Sequence, residues 1–159
     1  MGARFAKWRA VIDVDDGIPS QACIESNAHA LARYAALCQE VGLAPIIEPE
    51  VLMDNIYSME HCNQITAEVL QVVFNQLYTQ GVVLEGMLLK PNMVLSGLSC
   101  PNQATVSEVA DTTVKNLLQI VPAAVPGIAF LSGGQTGVLA SARLNAMNIK
   151  YQSQLPWAL

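Results

Sequence analysis

Charge is scarce in this chain: of 159 residues only 13% are Asp, Glu, Lys or Arg, and the formal net charge is −5. No Lys/Arg cluster is present to neutralise a run of phosphates, so the composition argues against DNA and RNA as partners. The four cysteines, Cys23, Cys38, Cys62 and Cys100, form no C-x-x-C pair, and His29 and His61 add no zinc-ligand spacing. Free or buried thiols in a reducing cytoplasm follow, without a metal site. No apolar run reaches membrane-spanning length, and the first residues lack the apolar core of a leader, so a soluble intracellular protein is expected. Missing as well are a G-x-G-x-x-G fingerprint and a Walker lysine, which leaves a nucleotide fold without support.

What is present is apolar. The sequence is 52% hydrophobic with mean hydropathy +0.35, enough for one sizeable core and too little charge for a coiled coil or a disordered tail. Residues 1–159 are therefore read as one domain or part of one.

Strand and helix patterns alternate along the chain. Phe5 to Val14 reads as a strand rich in β-formers, and the turn Asp15-Asp16-Gly17-Ile18-Pro19 follows it. Ser20 to Val41 is helical, with Ile24, Ala28, Leu31, Ala35 and Cys38 on one stripe and Gly42 as a stop. His29 on that helix reads as a surface or satisfied residue. Leu43 to Leu52 is a second strand, Met53 to Ile65 a loop, Thr66 to Gln80 a helix and Val82 to Lys90 a third strand. Asn92 to Ala104 reads as a long loop. Thr105 and Glu108 form a capping-box signature for a helix reaching Ile120. Gly127 to Leu131 is a short strand, Thr136 to Met147 a fourth helix, and Leu155 to Leu159 the opening of a fifth strand. Such alternation implies parallel strands joined by right-handed crossovers, either a doubly wound sheet or a (β/α) barrel.

The unusual polar residues fall in or just after these strands. Lys90 is one of four lysines and lies behind the uncharged stretch Gly86-Met87-Leu88-Leu89, just before a proline that ends regular pairing. Desolvation there favours the neutral amine, which can attack a carbonyl; the same stretch also fits a lysine snorkelling at a strand end. Glu48 and Glu50 share a face across Pro49 in apolar sequence. A carboxyl so placed has a raised pKa unless a cation is close, and either a proton carrier or a buried ion pair with Lys7, Arg9 or Lys90 results. Lys7 and Arg9 leave one face of the first strand, as an anion site or as ordinary edge charges. Ser132-Gly133-Gly134-Gln135 joins a strand to a helix, where paired glycines let backbone N–H groups face an anion or simply permit a tight turn. Apart from Lys7 and Arg9 these groups sit at strand carboxyl ends, and side chains converging there describe the catalytic face of a barrel.

The segments FAKWR, PIIEPEVL, LEGMLLKPNMV and FLSGGQ, in this order and spacing, resemble class I fructose-1,6-bisphosphate aldolases, the bacterial ones more than the plant or animal ones. The similarity runs from Phe5 to Leu159. It implies a partial (β/α)8 barrel of about four βα units plus the start of a fifth strand, the middle portion of the family's domain. By that resemblance Lys90 is the Schiff-base nucleophile, Glu48 the acid/base of carbinolamine dehydration and Glu50 its neighbour. Lys7 and Arg9 contact the substrate and its far phosphate, and Lys7 also favours the neutral amine of Lys90. Ser132 and Gly133, with Gly134 beside them, hold the C1 phosphate through their backbone. The implied reaction is glycolytic cleavage of fructose 1,6-bisphosphate to dihydroxyacetone phosphate and glyceraldehyde 3-phosphate, with no cofactor. An inactive fragment that binds sugar phosphates or self-associates is the alternative. The resemblance suggests a homotetramer. Asp54-Asn55-Ile56-Tyr57 departs from the family's usual Asp-Gly-x-His, and the family's first-strand aspartate, third-strand lysine, and eighth-strand arginine and glycine have no counterpart in these residues.

Overall fold

The computed structural model describes residues 2–159. Strand β1 (Phe5–Ile12) pairs in parallel with β2 (Ala44–Val51), and β2 pairs in parallel with β3 (Leu88–Leu89), giving the sheet order β1-β2-β3. Between them run α1 (Gln21–Glu40) and α2 (Met59–Thr79); α3 (Val106–Ile120) and α4 (Gly137–Tyr151) follow. Parallel pairing continues irregularly beyond β3 through single bridges, Leu89 to Ile128 and Gly127 to Ala158. Five stretches of extended chain thus lie side by side in sequence order, an α/β arrangement.

Period-two alternation separates the two faces of the sheet. Ala10, Ile12, Ile47, Val51 and Leu89 are buried and join Leu31, Ala32 and Ala35 of α1 and Val69, Val73 and Leu77 of α2 in the main core. Small alanines on α1 permit close approach of that helix to the sheet. A second core of Met53, Met93, Leu95, Val109, Ala110, Val114, Leu131 and Met147 lies under α3 and α4. The opposite face of the sheet carries Lys7, Arg9, Glu48, Glu50 and Lys90.

Each helix begins on a hydroxyl cap: Ser20, Ser58, Thr105 and Thr136 each accept from a backbone N–H of the first turn. The Thr105–Glu108 capping box forms as anticipated. Four expectations need correction. Helix α2 starts at Met59, not Thr66, because Ser58 caps it and Cys62 and Ile65 turn inward at helical spacing. The third strand does not extend over Val82–Lys90. The Gln39 side chain donates to the Val83 carbonyl (2.8 Å) and accepts from the Val83 N–H (2.9 Å), a 3-10 turn occupies Leu84–Gly86, and only Leu88–Leu89 pair as a strand. Gly127 to Leu131 touches its neighbours by bridges and single hydrogen bonds in place of a regular ladder, and α4 runs on to Tyr151, beyond Met147.

Candidate active site

The register of β1 against β2 builds the site. Arg9 lies opposite Glu48 and Val11 opposite Glu50, so the cations of β1 sit one pleat behind the carboxylates of β2 on the same face. Lys7 donates to Glu48 Oε2 at 2.5 Å, and Arg9 donates to Glu50. Lys90 arrives from the next strand. Its backbone N–H bonds the Ile47 carbonyl (2.7 Å), and its Nζ donates to Glu48 Oε1 at 2.8 Å. Glu48 therefore uses both oxygens, one on each lysine.

Burial and charge oppose each other at this carboxyl. The Glu48 side chain is 3% exposed, against 41% for Lys7 and 28% for Lys90. Burial pushes the Glu48 carboxyl up, and hydrogen bonds from Lys7 and then Lys90 outweigh it, leaving the group below its ordinary value. The raised value expected for a lone carboxyl in an apolar wall does not arise, because the cations named as the exception are in place. Glu48 is an ionised acceptor at neutral pH.

A cleft of about 380 Å³ opens beside this network, lined by Arg9, Glu48, Glu50, Lys90, Ser132, Gly133 and Gly134 together with Leu52, Met53, Asp54 and Leu131. Seven of the eight anticipated site residues line it; the eighth, Lys7, reaches it only through Glu48. Gly133 (φ +58°) and Gly134 (φ +90°) have left-handed backbone, and a Cβ on Gly133 would come within 2.6 Å of Met53. The turn closes by Gln135 N–H to the Ser132 carbonyl (3.1 Å), and α4 begins two residues later. The N–H groups of Gly133 and Gly134 have no acceptor among the described residues and sit at the wall of the cleft, the arrangement that binds oxyanions.

Two contributors carried no clear signal in the sequence. Asn92 is buried; its Oδ1 accepts from the Val51 N–H (3.1 Å), and its Nδ2 donates to Thr66 Oγ1 (3.0 Å). It fixes the end of β2 to α2 two residues after Lys90, and an asparagine after proline in an apolar run was the available hint. Arg143 is buried behind the glycine turn, where helical periodicity alone would place an apolar residue. The loop that departs from the family pattern is structural: Asn55 Nδ2 donates to the Val14 carbonyl (2.6 Å), and the Tyr57 hydroxyl donates to the Leu52 carbonyl (2.5 Å). His29, exposed on α1, meets Gln76 and Gln80 alone among the described residues. No group of three or more His, Cys, Asp or Glu among the described residues could hold a metal ion, and no helix is long and apolar enough to cross a membrane.

Cations and carboxylates on one face of a parallel sheet, with a glycine turn beside them, make this an α/β protein with a polar cleft on that face of its sheet. The profile of glycolytic class-I fructose-bisphosphate aldolases matches residues 1–159, and the chain belongs to that family. It is 56% identical over 159 residues to a probable fructose-bisphosphate aldolase class 1 of Xanthomonas axonopodis pv. citri, covering 100% of this chain and 47% of that protein. Fructose-bisphosphate aldolase B of Gallus gallus is 54% identical over 160 residues, 99% of this chain and 43% of that one. A solved Plasmodium falciparum fructose-bisphosphate aldolase, in complex with TRAP and a small-molecule inhibitor, superimposes with TM-score 0.95 at 48% identity, covering 99% of this chain and 46% of that chain. The chain spans about half the length of these relatives.

Proposed function

We propose that this chain carries the imine-forming centre of a fructose-1,6-bisphosphate aldolase, built on five consecutive staves of a (β/α)8 barrel. The observation that supports it best is the shared carboxylate: Glu48, buried and ionised, holds Lys90 at 2.8 Å and Lys7 at 2.5 Å. Glu48 takes a proton from the Lys90 ammonium along that hydrogen bond, and the freed amine attacks C2 of the ketose. The proton returns from Glu48 to the C2 hydroxyl, which leaves as water and gives a protonated imine. The C3–C4 bond then breaks, its electron pair passing to the imine as an enamine while the C4 hydroxyl gives its proton to water and becomes the aldehyde of the departing glyceraldehyde 3-phosphate. Protonation at C3 and hydrolysis release dihydroxyacetone phosphate and restore Lys90. Lys7 donates to the other oxygen of Glu48 at 2.5 Å, so the carboxyl does not hold its proton too tightly.

The two phosphates belong at opposite walls. Backbone N–H groups of Ser132, Gly133 and Gly134 receive the C1 phosphate; Arg9, positioned by Glu50, receives the other. Family likeness supports a cytoplasmic location and a homotetramer. Trapping tests the reading: borohydride added with dihydroxyacetone phosphate leaves a covalent adduct on Lys90, and Lys90→Met leaves none.

One observation favours a second reading. Strand β1 pairs on one side only, and Phe5 (63% exposed) and Val11 (41%) stand out on its cleft-side face. An open edge beside exposed apolar side chains favours association. In that reading the isolated chain is an inactive aldolase fragment that binds sugar phosphates at most. No adduct at any triose concentration, together with elution earlier than a monomer on size exclusion, decides for it.

A further inference from the structure

The glycine turn is held from behind by a charge that nothing neutralises. Arg143, on the second turn of α4, is 3% exposed. Its Nη1 donates to Gln135 Oε1 at 2.6 Å, its Nη2 to the Ala104 carbonyl at 3.4 Å, and its Nε has no acceptor. Gln135 in turn donates from Nε2 to the Ser132 carbonyl at 2.9 Å, the same oxygen that the Gln135 N–H closes the turn upon. No carboxylate lies within ion-pair distance of Arg143 among the described residues, although the chain carries 13 acidic residues. Burial lowers the guanidinium from its ordinary value, yet an arginine stays charged at neutral pH.

A buried guanidinium without a counter-ion is costly, and an apolar side chain would fill the second core at α4 more cheaply. The arrangement makes physical sense when the missing negative charge arrives from outside. The turn in front of Arg143 lines the cleft, and its Gly133 and Gly134 N–H groups have no acceptor among the described residues.

We propose that Arg143 is a positioning residue for the anion-accepting turn: through Gln135 it fixes the Ser132 carbonyl and hence the Gly133 and Gly134 N–H groups, and it leaves a positive field that a phosphate dianion completes. The inference rests on the phosphate-binding reading of that turn and adds to it the residue that sets the turn's shape and potential. Arg143 touches no substrate. Its effect travels through one side chain, Gln135, and through space.

The test uses the 159-residue chain, its Arg143→Met and Arg143→Lys variants, and inorganic phosphate as the probe. Arg143→Met keeps the volume and removes both the fork and the charge. Phosphate affinity falls about tenfold or more in Arg143→Met, the order expected when the group orienting a binding shell is removed, and less in Arg143→Lys. The melting temperature without phosphate stays level or rises in Arg143→Met, because an unpaired buried charge has gone. A purely structural arginine would show the reverse, a lower melting temperature with unchanged affinity, and that result overturns the proposal. Should the unsubstituted chain bind no phosphate, the phosphate reading of the turn fails by itself. Amide exchange then decides the positioning role: at least about tenfold faster exchange at Gly133, Gly134 and Gln135 in Arg143→Met, with α3 and α4 still protected, upholds it, and unchanged exchange refutes it.

Discussion

Two buried charged groups in this chain are treated in opposite ways. Glu48 sits under the sheet's open face with a lysine on each oxygen, and Arg143 sits under the glycine turn with no carboxylate at all. At one end of the cleft the buried charge has a counter-ion on each oxygen before any ligand arrives; at the other the buried charge has none among the described residues. Groups already paired exchange protons along existing hydrogen bonds, which suits acid/base chemistry. An unbalanced cation behind free N–H groups attracts an anion, which suits binding. The cleft is thus divided between a chemical end and a holding end, and the same physical cost of burial serves each differently.

The largest effect that would break this division comes from Glu48→Gln. An amide cannot take the proton from Lys90, and imine formation with dihydroxyacetone phosphate slows on the order of 10²–10⁴-fold, measured by the rate of borohydride-trapped adduct. Phosphate affinity at the glycine turn stays as it was; a parallel fall in affinity would mean that the two ends are not separate. The same variant reads the pH dependence of stability. The Glu48 carboxyl lies below its ordinary value in the folded chain, so its stabilisation is fully present above the unfolded value and is lost as pH falls through the folded one. In Glu48→Gln that contribution is missing at every pH. The stability gap between the two proteins is widest near neutrality and closes on acidification, as thermal melts at a series of acid pH values will record.

A smaller effect sharpens the other side. Gly133→Ala forces an L side chain into left-handed backbone and puts its Cβ 2.6 Å from the Met53 thioether end. The backbone term costs about 1–2 kcal/mol, and Met53 can swing aside. Melting temperature therefore drops modestly, phosphate affinity drops more, and adduct formation measured at saturating triose phosphate is least affected. Equal losses in all three would show that the turn carries the fold as well as the ligand.

How far residues alone led to this picture differs between the same two ends. Lys7, Arg9, Glu48, Glu50 and Lys90 were legible because charges in an apolar, alternating strand have few explanations, and period-two geometry puts them on one face. The partnerships were not legible, since register decides whether Lys7 meets Glu48 or Glu50, and register is a property of two strands. The third strand misled because Gln39, a helix residue 44 positions away, takes both backbone groups of Val83; no local pattern encodes that. The start of α2 was hidden by His61, Asn63 and Gln64, whose polarity resembles a loop although Ser58 caps a helix there. Arg143 escaped notice for a different reason. A charged residue within an amphipathic pattern is ordinarily solvated, and only three-dimensional burial exposes it as an anomaly.

The smallest prediction concerns the junction between the glycine turn and α4. Thr136 caps that helix by accepting from the Leu139 N–H, one residue past Gln135. Thr136→Ala removes one cap and costs about 1 kcal/mol of stability, comparable with the other hydroxyl caps of this chain. If Arg143 and Gln135 shape the turn, the cap holds only the helix, and phosphate affinity in Thr136→Ala stays within twofold or so of the unsubstituted chain, an effect near the limit of additivity for separate groups. A calorimetric titration with inorganic phosphate is sensitive enough to tell. An affinity loss as large as that of Arg143→Met would move the control of the turn from the buried guanidinium to the helix start, and the holding end of the cleft would then owe its anion preference to α4's first turn alone.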